Sequence, residues 1–113
     1  MSFVYLCSPY TPTRAGDTVE SRAHDAAKAA AKLMAAGHVV FSPIVHSHYV
    51  AEFLPADKRL DHHFWMHQDL PILRRAREVF VLRLPGWERS RGIAREISEA
   101  AIHNIPVRFL DAE

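Results

Sequence analysis

Residues 78–110 read EVFVLRLPGWERSRGIAREISEAAIHNIPVRFL, and this stretch decides the fold. Its first seven residues are a largely apolar, β-branched run closed by Pro85-Gly86, as in a strand buried on both faces. Ser90 can cap a helix running to about His103. At about 100° per residue, Ile93, Ala94, Ile97, Ala100 and Ala101 share one face of that helix, Glu96 lies at its border, and Arg95 and Glu99 point away. Residues 106–110 (PVRFL) return to the strand pattern. Strand, helix and strand in so short a span form a crossover unit, which joins parallel strands.

The alternation continues toward the N-terminus. Residues 3–7 (FVYLC) form a strand closed by Ser8-Pro9. Asp17 can cap the next helix, with Glu20 three residues on as in a capping box. Val19, Ala23, Ala26, Ala27, Ala30, Leu33 and Met34 repeat at helical spacing, and Gly37 suits the residue just past the end. Residues 38–42 (HVVFS) form a second strand, stopped by Pro43; residues 43–60 carry no clear pattern. Asp61 can cap a helix holding Phe64 and Trp65. A proline inside a helix costs about 3 kcal/mol, so Pro71 predicts a break near Gln68, with Asp69 capping a second piece. The expected fold is a flavodoxin-like or Rossmann-like α/β three-layer sandwich with a parallel sheet of four to five strands. Ligands in such sheets bind beyond the carboxyl ends of the strands. Loops 8–14, 42–49 and 85–90 meet there.

The chain has 113 residues, enough for a single domain spanning 1–113. It is 49% hydrophobic and 24% charged, which excludes disorder. The net charge of +1 gives no reason to expect polymeric nucleic acid or an anionic membrane as partner. No apolar run approaches the roughly 20 residues of a membrane span. The single cysteine, Cys7, cannot form an internal disulfide and reads as a small buried residue; a cytoplasmic protein is expected.

Three motifs in order, Y-L-C-S-P-Y at 5–10, D-L at 69–70 and S-x-G-x-x-x-E at 90–96, resemble the nucleoside 2-deoxyribosyltransferase superfamily. The similarity spans nearly the whole chain and is greatest to a small bacterial branch near the nucleoside 5′-monophosphate N-glycosidases. It implies cleavage or transfer of an N-glycosidic bond, with Glu96 as nucleophile. Asp69 would position substrate or handle the proton of the leaving base, and Tyr5 would touch the nucleophile. An ionised carboxylate suits this chemistry because bond cleavage develops positive charge on the sugar. Relatives on free nucleosides tend to carry aspartate where this chain has Ser90, whereas those on 5′-monophosphates tend to carry serine. The chain departs from the family at Ser8-Pro9-Tyr10, where Pro9 removes an amide from an anion-binding turn.

Ser8, Tyr10, Arg14, His46, Trp87, Ser90 and Gly92 are the candidate substrate-binding residues, with Arg22, Arg89 and Arg91 within reach of a phosphate. Ser90 also reads simply as a helix cap. The eight histidines include His46, His48, His62, His63 and His67. Neither H-x-H-x-D-H nor HExxH is complete, so they read as pocket lining, and no metal or cofactor is expected. The first turn lacks the G-x-G-x-x-G of dinucleotide sites. The family likeness also implies a homodimer or homotetramer, with Phe64-Trp65 as the candidate interface. A non-catalytic module that binds or senses nucleotides on the same fold is the alternative.

Overall fold

The computed structural model describes residues 2–112. Four strands, β1 (Val4–Cys7), β2 (Val40–Phe41), β3 (Glu78–Arg83) and β4 (Val107–Asp111), form one parallel sheet in the order β2-β1-β3-β4. Five helices accompany them: α1 (Val19–Ala35), α2 (Pro43–Glu52), α3 (Ala56–Arg59), α4 (His62–Leu73) and α5 (Arg91–Ile102). The expected three-layer α/β sandwich is what forms, with four strands.

The period-two alternation of β1 decides which side chains meet which helices. Val4 and Leu6 pack with Ala30 of α1 and with Phe80 and Leu82 of β3. Tyr5 and Cys7 project from the opposite face, among Leu70 and Leu73 of α4 and Ile93 and Ala100 of α5. All four β1 residues are fully buried. A strand covered on both faces must be apolar throughout, so the hydroxyl of Tyr5 requires a partner.

Several local expectations are corrected. Thr18, not Asp17, caps α1: the Ser21 amide donates to Thr18 Oγ1 and the Thr18 amide donates to Ser21 Oγ, each at 2.9 Å. Asp17 is left to face Arg22 and Arg14. Residues 43–60 are mostly helical, because Ser42 caps α2 through the Val45 amide and Pro43 sits in the first turn, where its missing N–H costs nothing. The break near Gln68 does not occur, and α4 runs unbroken through Pro71. Leu70 and Leu73 are buried on either side of that proline, and this packing outweighs its local penalty.

On α5 the cap at Ser90 holds, its Oγ accepting from the Ile93 amide at 3.2 Å. The buried stripe is rotated from the expected one. Ala94 and Ala101 are exposed, whereas Glu96 and Glu99 are buried. Glu99 is no outward residue: Arg74 and Arg95 donate to it at 2.5 and 2.7 Å, and His103 lies 3.2 Å away. The Arg74 hydrogen bond, with that of Arg95, holds its carboxyl down at about 2. This cluster ties the end of α4 to α5.

Candidate active site

Between β1 and β3 the chain switches from building one side of the sheet to building the other, and a crevice opens beyond their carboxyl ends. It forms a cavity of about 630 Å³, a size typical of small-molecule sites. Its walls come from the loop after β1, from α2 and α4, and from the Gly86–Ile93 region. Two of these walls are fastened together from behind. Arg22, 2% exposed, donates through Nη2 to Thr13 Oγ1 at 2.9 Å and to the Pro85 carbonyl at 2.8 Å. Gly86 adopts φ +87, and a Cβ there would lie 2.7 Å from Thr13 Cγ2. Only glycine fits this junction.

At the inner end, the Tyr5 hydroxyl donates to Glu96 Oε2 at 2.5 Å across 91 residues of sequence. Glu96 is 5% exposed, and burial pushes its carboxyl up to about 7 against the opposing pull of the Tyr5 hydrogen bond. Cys7 lies on the same face of β1, near enough to Glu96 to feel its charge: burial first, and that carboxylate second, push its thiol well up. Burial likewise raises the Tyr5 phenol. Asp69, 8% exposed on α4, shares the cavity wall with Glu96, and burial raises it to about 6. Two buried carboxyls whose proton affinities reach the neutral range, one held by a phenol, make a site fit for nucleophilic or acid–base work.

The family model of a domain of unknown function, DUF1937, matches residues 2–111. The chain belongs to this family. No curated protein matches it.

In this DUF1937 domain the expected residues divide. Glu96, Asp69, Ser8, Tyr10, Ser90 and Gly92 line the one cavity, and Tyr5 reaches it through Glu96. Asp69 is there because α4 is continuous: it is an interior helical residue and caps nothing, so its carboxylate is free for the cavity. Ser8 is buried and its Oγ has no hydrogen-bond partner. At Gly92 a Cβ would meet Met66 Cε at an ordinary 3.8 Å, so glycine there leaves space rather than relieving a clash.

Arg14, His46 and Trp87 do not line the cavity. Arg14 is largely exposed and bonds Asp17 at 3.5 Å. Trp87 packs on the core with its ring 5.4 Å from that of Phe109. His46 stacks near Phe41 at 5.4 Å and borders a second cavity of about 250 Å³ on the far side of Asp69. One helical step of two residues carries His48, not His46, to the main cavity, where its Nδ1 shares a 2.6 Å hydrogen bond with the Tyr10 hydroxyl. Phe64 and Trp65 are half-buried against each other, and Trp65 donates its indole N–H to the Arg59 carbonyl.

Sequence reasoning missed the closeness of Cys7 to Glu96, and Arg59 and Met66 as lining; of the histidines read as pocket lining, His48 and His62 line the cavity, whereas His46, His63 and His67 do not. Period two in β1 was the available signal for Cys7, since it repeats the orientation of Tyr5. Among the described residues, no three His, Cys, Asp or Glu side chains converge as a metal-binding group. Among the described residues, no helix is long and apolar enough to cross a membrane.

Proposed function

We propose that the protein breaks the N-glycosidic bond of a nucleoside or nucleoside 5′-monophosphate, as a hydrolase or a deoxyribosyltransferase, with Glu96 as nucleophile. The observation that carries this reading is the Tyr5–Glu96 hydrogen bond inside a cavity that Asp69 shares. Ionised Glu96 attacks the anomeric carbon, and the bond to the base nitrogen breaks. The base leaves with the proton held by Asp69. Water or a second base then attacks the same carbon, gives its proton to Asp69 and releases Glu96. Tyr5 fixes the carboxylate's orientation, and positive charge developing on the sugar stabilises its ionised form in the transition state. The N-terminus of α5, with Ser90, Gly92 and nearby Arg89 and Arg91, supports recognition of a 5′-phosphate. A substrate of this class and a lone buried thiol fit the cytoplasm.

Purified protein incubated with pooled nucleosides and 5′-monophosphates should release free base, read by chromatography, and Glu96→Ala should release none. Binding without release by the wild type would instead make the domain a nucleotide sensor. Ser90→Asp should erase any preference for monophosphate over nucleoside, since it sets a like charge against the phosphate. Equal handling of both by the wild type refutes the phosphate assignment.

A further inference from the structure

The cavity carries more positive charge than a single phosphate can use. Arg59 at the end of α3, Arg89 in the 3₁₀ turn Trp87–Arg89 and Arg91 at the start of α5 all line it. Among the described residues, ion pairs to carboxylates occupy Arg14, Arg22, Arg74, Arg83, Arg95 and Arg108, but none of these three. Arg91 instead has the His63 ring 3.4 Å away, a neighbour that cannot neutralise it. Of the two buried carboxyls within the cavity, Glu96 is ionised in the reactive state and Asp69 holds its proton, so they offset one of these three charges.

Two buried groups have polar atoms left without partners. Ser8 lines the cavity, is 6% exposed, and its Oγ has no partner. Behind the Thr13–Gly86 junction, Arg22 has Nε and Nη1 buried without partners, and its Asp17 neighbour is 3.4 Å away. A helix N-terminus contributes about half a positive charge, and a phosphate monoester carries only about 1.5 to 2 negative charges. Three free guanidiniums and that helix end therefore exceed one phosphate. Arg59 also stands on a different element from Arg89 and Arg91, so the guanidiniums come from separate parts of the cavity wall and can serve an anion with more than one phosphate.

We propose that the substrate bears a pyrophosphate, and that this cavity takes a nucleoside 5′-diphosphate. The proposal rests on the glycosidic reading of the same cavity and narrows its substrate. The phosphate next to the ribose sits at the α5 N-terminus with Arg91, and the outer phosphate takes Arg59.

Two titrations test it by calorimetry at fixed ionic strength. The wild type is titrated with inorganic phosphate and with inorganic pyrophosphate. Glu96→Gln is titrated with the mono- and diphosphates of adenosine, guanosine, cytidine, uridine and thymidine. Pyrophosphate should bind about tenfold or more tighter than phosphate, and the diphosphate of the preferred base should exceed its monophosphate similarly. Arg59→Ala, with its fold checked by circular dichroism, should reduce both preferences to about threefold or less. Equal binding of mono- and diphosphates, or a preference untouched by Arg59→Ala, overturns the proposal. Base release from monophosphates with no diphosphate preference overturns it alone. A pyrophosphate preference with no base release from any nucleotide overturns the glycosidic reading and leaves the pyrophosphate site standing.

Discussion

Replacing Glu96 by Gln should remove a specific, pH-dependent destabilisation of the fold. The Glu96 carboxyl rises from its ordinary 4.5 to about 7 because burial disfavours its ionised form. Between those values the folded protein keeps a proton that the unfolded chain has released, so stability falls as pH rises through the window. At 1.36 kcal/mol per unit, the full loss above pH 7 is about 3 kcal/mol, of which about 2 to 3 kcal/mol accrues between pH 5 and 8. Glutamine accepts the same Tyr5 hydrogen bond and does not titrate. Its extra N–H group carries a cost that is constant with pH, and Asp69 titrates in both proteins. The difference in slope between the two stability curves therefore isolates Glu96. Urea unfolding followed by circular dichroism from pH 5 to 8 measures it, and Glu96→Gln should gain on the wild type by about 2 to 3 kcal/mol across that range. Parallel curves would refute a carboxylate held in the interior at the expense of stability. Such a group is expected where catalysis, not folding, selects the residue.

Three further outcomes follow from the same site. The rate of base release should be bell-shaped in pH with its maximum between about 6 and 7, where Asp69 and Glu96 share one proton, the reactive form with Glu96 ionised and Asp69 protonated being the minor of the two singly protonated forms; below it both are protonated, above it both are ionised. A rate that is flat from pH 5 to 8 would remove the pair from the mechanism. Dialysis against a chelator should leave turnover unchanged, and a loss restored by zinc would make ligands of His46, His48, His63 and His67. Light scattering should give a homodimer or homotetramer, and the exposed stripe Val45, Tyr49 and Phe53 on α2 is a better contact than half-buried Phe64-Trp65. A monomer mass at assay concentration ends that idea, and Phe53→Asp should shift the mass if the stripe is the interface.

Local chemistry in the sequence determined the order of the four strands and of the helices α1, α4 and α5, but not α2 and α3. The strand runs at 3–7 and 78–84, the serine cap at Ser90 and the glycine at 37 each act over one turn or one strand, and each is found close to where it was read. Because those elements alternate, the parallel sheet followed, and with it the edge where Glu96 and the loop after β1 meet. Tertiary structure decided the rest. Whether Pro71 ends a helix depends on Leu70 and Leu73 finding a core beneath them, and that packing turned Asp69 from a cap into a cavity residue. Which of His46 and His48 faces the cavity depends on how α2 seats on its neighbours, a rotation that its own weak apolar pattern does not specify. Glu99 is buried only because Arg74 arrives from another helix, and Tyr5 meets Glu96 only because the fold brings α5 over β1. Periodicity tells a helix which faces it has; only the partners packed against it decide which face turns inward.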